Sequence, residues 1–324
     1  MLNIEEIFSC QEEKMIETIT LNPSVDLSYY LDLFFINDVN KTANITKTAG
    51  GKGLYVSKIL RQLGCEVLAT GFLGGLNGQF IRNELAKLNI KSSFVSIQDA
   101  TRNSIAIISS DKYTEIREDG PKVSRVEAEE FVQVFIEQII SHKIQVVAAS
   151  GSLPQGLEPT YYRALIDQSH QQNVKFILDT SGEPLKEAIK SGPYLIKPNN
   201  SELEELIGHK IQSEKELLDV LPQLKCYGIN MVVVSLGKEG CIALCGESIF
   251  KVTTPDVPVK NPIGSGDAML AGMAKEIAAN SSYEEVLKVG TACGTLNAME
   301  DGKGIIDIKK FQDIYNKIEV EKVR

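Results

Sequence analysis

A chain of 324 residues is long for one compact core and short for three domains, so one large domain with a smaller appendage is expected. Lys and Arg number 34 against 43 Asp and Glu, a formal charge of −9, which argues against general nucleic-acid binding because that needs a basic surface. Six cysteines form no CxxC pair, the N-terminus carries acids where a secretory signal carries cations, and no apolar run approaches the ~20 residues that span a bilayer. Reduced thiols in a cytoplasmic protein without a membrane partner are the expectation.

Residues 1–14 read as an extension ahead of the fold. Ile16 to Leu21 is a short β run closed by Asn22-Pro23-Ser24, a strong turn signal. The stretch SYYLDLFFINDVN mixes aromatic and β-branched residues with polar ones, as strands with one exposed face do. After Gly50 to Gly53, helix is expected through VSKILRQLG, strand over Val67 to Phe72 and helix over Gly78 to Leu88. Arg102 to Ser109 and Thr114 to Arg117 read as a hairpin about Ser110-Asp111-Lys112. From Val126 onward, short apolar strands alternate with helices, which implies a mainly parallel sheet covered on both faces. The expected organisation is therefore an α/β core from 15–24, 48–92 and 118–324. The segments 25–47 and 93–117 pair as a small β lid, a natural cover for a site or surface for a dimer.

Four segments carry chemistry. In NPIGSGDAMLAG, a Pro turn leads through Gly264, Ser265 and Gly266 to Asp267 and an apolar helix. Amides at such a helix start can converge on an anion beside a carboxylate, the pairing that phosphoryl transfer requires, although a plain helix cap has the same composition. In KPNNSE, Asn199 and Glu202 stand three apart on the first turn of a helix, where they either help organise Mg²⁺ through water or form a capping box. In SLGKEG, Ser235, Gly237 and Gly240 surround a tip open to a nucleotide, or a simple hairpin turn. In GGKG, the amides before a helix can face a polyhydroxylated ligand.

No GxxxxGK[ST], no Rossmann fingerprint and neither HRD nor DFG occurs, so P-loop, dinucleotide-binding and protein-kinase chemistry drop out. His142, His170 and His209 lie in polar surroundings and read as surface residues.

Taken in order, GGKG, SGSLPQG, NNSE, SLGKEG and GSGD resemble the ribokinase-like (PfkB) carbohydrate kinases across nearly the whole chain from Met15. TLNPSVD, KTAGGKG, TRNS and SGSLP are similar to the phosphosugar branch that includes tagatose-6-phosphate kinases and 1-phosphofructokinases. The resemblance implies a three-layer α/β/α core with a β-sheet lid that can clasp a homodimer, and an ATP- and Mg²⁺-dependent kinase acting on a small sugar phosphate. It implies Asp267 as base and Gly264, Ser265 and Gly266 as anion hole. Asn199 and Glu202 would organise Mg²⁺ through water, and Ser235, Gly237, Gly240 and Asn297 the nucleotide. Asp26, Gly51 and Lys52 would line the sugar site, with Lys41, Arg102 and Ser152 on the phosphate the substrate already carries. An arginine fork and a lysine suit that phosphate on charge as well. Two positions depart from the pattern: Tyr55 replaces the Asn of GGKGxN, and Gln155 replaces the Lys of SGSLPKG. Either departure bears on which sugar is taken, and a weakly catalytic sugar-binding regulator on the same fold is the remaining alternative. Asn261 stands where some relatives place an Asp that helps bind potassium.

Overall fold

The computed structural model describes residues 15–110 and 112–324; the expected extension 1–14 and Asp111 of the hairpin tip lie outside the described residues. The chain opens with β1 (Met15–Thr20), β2 (Ser24–Tyr30) and β3 (Ile45–Gly50), followed by α1 (Lys52–Gln62), β4 (Glu66–Leu73), α2 (Gly75–Lys87) and β5 (Lys91–Ser96). The hairpin β6 (Arg102–Ile108) and β7 (Tyr113–Arg117) precedes α3 (Arg125–Ser141), β8 (Val146–Ser150), α4 (Tyr161–Gln171) and β9 (Lys175–Asp179). Next come α5 (Gly182–Ala188), β10 (Leu195–Ile196), α6 (Asn200–Ile207), α7 (Glu214–Val220), β11 (Met231–Ser235), β12 (Cys241–Cys245) and β13 (Ser248–Thr253). The chain finishes with α8 (Ser265–Ala279), α9 (Tyr283–Ala298), α10 (Phe311–Lys317) and β14 (Glu319–Lys322).

Ten strands form one sheet in the order β14-β13-β12-β11-β10-β9-β8-β1-β4-β5. It is parallel from β5 to β11 and antiparallel beyond. Its strands are apolar on both faces because helices cover both. Along β11, Met231 and Val233 pack with α1, α8 and α9, whereas Val232 and Val234 pack with α3, α4 and α7. The result is the expected α/β/α sandwich.

The chain runs from β1 outward to β4 and β5, then returns to add β8 on the other side of β1. That reversal between β1 and β8 opens a crevice at the carboxyl ends of the strands, where open α/β sheets hold ligands. Helix α1 can lie close against β1 only because Gly53 has no side chain: a Cβ there would sit 2.3 Å from Thr20 Oγ1 and 2.5 Å from the Ile19 carbonyl.

The lid is a second sheet of four strands, β3-β2-β6-β7, with β2 and β6 parallel. One expected boundary differs. Residues 93–117 do not all join the lid, because β5 pairs with β4 in the large sheet and only β6 and β7 leave it. Phe94 and Val95 explain the difference, since both are buried against the core and would be exposed on a lid.

Cys65, Cys241, Cys245 and Cys293 are buried and Cys226 is exposed, none of them in a disulfide, while the three histidines lie on the surface as expected. No helix among the described residues is long and apolar enough to cross a membrane.

Glu17 is the anomaly of the core. It is fully buried in β1, accepts one hydrogen bond from Thr70 Oγ1 at 3.0 Å, and leaves its other oxygen without a partner. Burial raises its pKa from 4.5 to about 8, so the folded chain keeps a proton that the unfolded chain releases above its ordinary value. Stability is therefore greatest below about pH 4.5 as far as this group is concerned, and falls as pH rises toward 8. Glu17→Gln should remove that slope and stabilise the protein at pH 8 by about 2–4 kcal/mol, measurable by denaturant titration at pH 6 and pH 8.

Candidate active site

Three parallel strands end in polar residues that converge at the crevice. Ser150 closes β8, Asp179 closes β9, and Lys197 follows β10. Lys197 Nζ lies 3.0 Å from Asp179 Oδ2, with the two side chains only 5% and 3% exposed. Lys52, from the first turn of α1, reaches the other oxygen of Asp179 at 3.5 Å. Burial alone would raise the Asp179 pKa, but Lys197 and Lys52 together hold it below the ordinary carboxylate range. Asp179 in turn holds Lys52 charged, against its desolvation.

Asp267 completes the cluster in the first turn of α8. Gly264 starts that helix in a left-handed conformation, φ +91°, which a residue with a Cβ adopts only with strain. The turn is pinned by Asn261, whose side chain accepts from Ile263 N at 3.0 Å and donates to the Asp301 carbonyl at 3.1 Å. The first amides of a helix have no intrahelical acceptor, and here no side chain caps them. Beside them Ser265 Oγ is buried without a partner. A Cβ at Gly266 would stand 3.1 Å from Lys197 Nζ, so a lysine ammonium is held against the positive end of a helix. Open amides, a free hydroxyl and a cation on one spot form a receptor for an anion.

Asp267 faces this receptor. It is 6% exposed and accepts a hydrogen bond from Ser150 Oγ at 3.3 Å. Burial pushes its pKa up to about 7, Asp179 adds to the rise, and Lys52, Lys197 and the Ser150 bond restrain it. A carboxyl that titrates near neutrality is suited to take and return a proton.

The expected sugar side divides. Asp26 is nearly buried: Ser24 Oγ donates to its Oδ1 at 2.7 Å, Tyr55 OH donates to its Oδ2, and Lys303 Nζ lies 3.6 Å away. Tyr55 thus turns into the site. Burial, reinforced by Asp26, raises its pKa well above the ordinary value and keeps its proton in place. Gly51 forms the turn before α1 and packs on Pro23. Lys52 stands instead with Asp179 and Asp267. Arg102 donates to the carbonyls of Asn22 and Glu118, each at 3.2 Å, and its Nε is buried without a partner. Asn22 Nδ2 donates to Ser152 Oγ at 3.2 Å, so Arg102, Asn22 and Ser152 share one rim of the crevice. Lys41 does not join them; it is exposed in the loop between β2 and β3, because nothing there buries a lysine. The Gln155 side chain is exposed, and its carbonyl accepts from Val123 N.

On the expected nucleotide side, Asn199 and Glu202 form a reciprocal capping box on α6. Asn199 Oδ1 accepts from Glu202 N at 2.9 Å and Glu202 Oε2 accepts from Asn199 N at 2.8 Å. Among the described residues no three His, Cys, Asp or Glu side chains gather as a metal cage. A groove of about 610 Å³ opens beside Asn199 and Ser235 and runs along the start of α7, without reaching Asp267. Gly237 faces open space, whereas Gly240 abuts the Val252 carbonyl and serves the turn. Asn297 is fully buried. Its amide donates to the Ile263 carbonyl at 3.2 Å and accepts from Gly304 N at 3.1 Å, so it ties two loops together.

Ser150, Asp179, Lys197, Asn22 and Lys303 were not singled out from the sequence. The first three had a readable signal, since each is the polar residue that ends an apolar run (VVAAS, FILD, LIK), and such positions flank the crevice of a parallel sheet. The cluster sets a stability requirement that is independent of any activity. Asp179→Asn leaves two cations without a counter-charge, one of them buried, and should cost about 3 kcal/mol or more in unfolding free energy, measurable by urea titration at neutral pH.

The family model described as pfkB family carbohydrate kinase matches residues 19–309. The tagatose-6-phosphate kinase of Staphylococcus epidermidis is 42% identical over 312 residues, which are 95% of this chain and 100% of the relative. Phosphofructokinase-2 from Escherichia coli, solved with potassium, is 25% identical with a TM-score of 0.87, over 94% of this chain and 98% of that one. A Thermotoga maritima structure described as a possible 1-phosphofructokinase is 25% identical with a TM-score of 0.87, over 96% of this chain and 100% of that one. With a buried carboxylate beside a helix-start anion receptor, and a family match along most of its length, the chain belongs to the pfkB family of carbohydrate kinases, phosphotransferases with an alcohol group as acceptor.

Proposed function

We propose that the protein transfers the γ-phosphoryl group of ATP to the free primary hydroxyl of a ketohexose monophosphate, with tagatose 6-phosphate giving the 1,6-bisphosphate as the lead reaction. The observation that carries this reading is Asp267, a buried carboxyl raised to about 7 by desolvation and set beside the open amides of α8 and Lys197. Asp267 takes the proton of the accepting hydroxyl as its oxygen bonds to phosphorus and the bond to the leaving ADP oxygen breaks. The amides of Gly266 and Asp267, with Lys197, take up charge on the moving group, and Lys52 with Asp179 keeps the cations in place. On the far side, Arg102 and Ser152 hold the phosphate already on the sugar, so that the opposite hydroxyl meets Asp267. Similarity to the Staphylococcus epidermidis tagatose-6-phosphate kinase supports the choice of sugar. The T. maritima relative favours a second reading, fructose 1-phosphate phosphorylated at C6.

Mg²⁺ fits as a phosphate-borne ion. It retains waters and needs few protein ligands, and Glu202, whose Oε2 alone is used by the capping pair, would accept from such waters. When bound it offsets charge on the phosphates. We place the enzyme in the cytoplasm, where ATP is available and its thiols stay reduced.

ADP release measured with tagatose 6-phosphate, fructose 1-phosphate and fructose 6-phosphate tests the reading; no stimulation by any of them would overturn it. Asp267→Asn should lower kcat by about two orders of magnitude or more while leaving ATP affinity nearly unchanged in calorimetry. Because Asp267 acts as its ionised form, kcat/KM for the sugar should rise with pH through about 7 in the native enzyme, and this limb should vanish in the variant.

We also propose that the lid supports a homodimer. Leu33, Phe35, Ile36, Val39 and Ile116 are between 52% and 80% exposed on the lid and its loop. Ile36→Glu with Val39→Glu should shift the protein from dimer to monomer in sedimentation velocity.

A further inference from the structure

Lys303 lies in the loop after α9, between the catalytic turn and the lid, and nothing in the motifs assigns it. Its backbone is fixed from several sides. The adjacent Gly304 donates to Asn297 Oδ1 at 3.1 Å and accepts from Gln62 Nε2 at 2.9 Å. Ile306 N donates to Gln62 Oε1 at 3.0 Å, and Asp301 is bound by Asn261 and, at 3.0 Å, by Lys260. The loop is therefore a rigid part of the core, joined to α1, α9 and the turn that begins α8.

From this base the Lys303 side chain reaches out to the lid. Its Nζ lies 3.6 Å from Asp26 Oδ2 on β2 and 3.8 Å from Glu115 Oε1 on β7. Among the described residues, the ion pairs that join lid strands to the core are these two. The lysine side chain is 20% exposed and its partners 11% and 15%, so water screens the pairs less than it screens surface pairs. At the other end, the stem borders Gly264: a Cβ placed there would be 3.6 Å from Lys303 Cβ. One side chain thus spans from the anion-receptor turn to two strands of the lid.

Glu115 is itself pre-set, accepting from Arg117 at 2.7 Å and from Ser104 Oγ at 3.2 Å. Asp26 is pre-set by Ser24 and Tyr55. Both acceptors are thus held in place by neighbours other than Lys303.

We propose that Lys303 is a positioning residue that latches the lid to the catalytic turn, so that the sugar phosphate is enclosed while Gly264 to Asp267 are held in register. The lysine neither receives the proton nor touches the moving phosphoryl group. It acts through Asp26 and Glu115. Its kinetic consequence rests on the kinase reading above; its structural consequence does not.

The test uses Lys303→Met, which keeps the stem and removes the charge, with Lys303→Arg as the conservative control. In hydrogen exchange without ligands, Lys303→Met should speed exchange about tenfold in β2 and β7 while leaving α8 and α9 unchanged. In kinetics it should raise KM for the accepted ketohexose monophosphate about tenfold, with less than a twofold change in KM for ATP, and Lys303→Arg should restore most of the loss. Combining Lys303→Met with Glu115→Gln should cost less than the sum of the two single changes. Unchanged lid exchange would overturn the latch even if the protein proved not to be a kinase. Faster exchange spread evenly through the core would also overturn it, by reducing Lys303 to general stability. If the native enzyme phosphorylates the sugar and Lys303→Met leaves its KM unchanged, the latch fails and the kinase reading stands.

Discussion

A lysine ammonium held against the positive end of a helix would be expelled without a counter-charge, and the site depends on how Asp179 prevents that. The Asp179–Lys197 contact, at 3.0 Å, is almost wholly buried, and Lys52 completes it from α1. Breaking a buried pair from one side is costly because the remaining charge is left desolvated. That cost fixes Lys197 beside Gly266, where cation and open amides together favour an incoming anion. The same fields act on Asp267. Burial raises its pKa to about 7, and the two lysines limit the rise, so its proton can move near neutral pH.

The sheet topology explains why these groups meet. The reversal between β1 and β8 separates the connecting segments at one edge of the sheet, and β8, β9 and β10 all point their carboxyl ends into the gap. The polar residues at these strand ends are nearly buried, and they meet their burial penalty by pairing with one another, Asp179 with Lys197, and with α8, Ser150 with Asp267. Helix α8 then supplies the carboxylate from across the gap. The acid, its cations and its hydrogen-bonding serine come from four separate elements, each held by a core that is apolar on both faces of the sheet.

The sugar side is where this chain differs from the family pattern. Tyrosine at position 55 donates to Asp26, and with Ser24 and Lys303 it leaves that carboxylate well supplied with donors. Under the proposed reading, a sugar hydroxyl at Asp26 would have to fit among these partners. Discrimination between sugars would then depend, under the same reading, on the Asp26 surroundings as well as on Arg102 and Ser152.

Much of this was legible in the chain because it is written in local patterns. Alternating apolar strands and helices specify a covered parallel sheet, and GSGD before an apolar run specifies a helix start with a carboxylate in its first turn, since both follow from side-chain period and glycine geometry over a few residues. The capping box of Asn199 and Glu202 was legible too, as one of two readings. Tertiary structure alone decided that Phe94 and Val95 belong to the large sheet, that Lys41 stays out of the site, and that Asn297 is a tie between loops. It alone paired Asp179 with Lys197 and Lys52, and brought Lys303 to Asp26 and Glu115. These contacts join residues far apart in the chain, 127 positions for Lys52 and Asp179 and more for Lys303 and Asp26. No local propensity distinguishes such partners, because the energy of a buried charge depends on what the rest of the fold places around it.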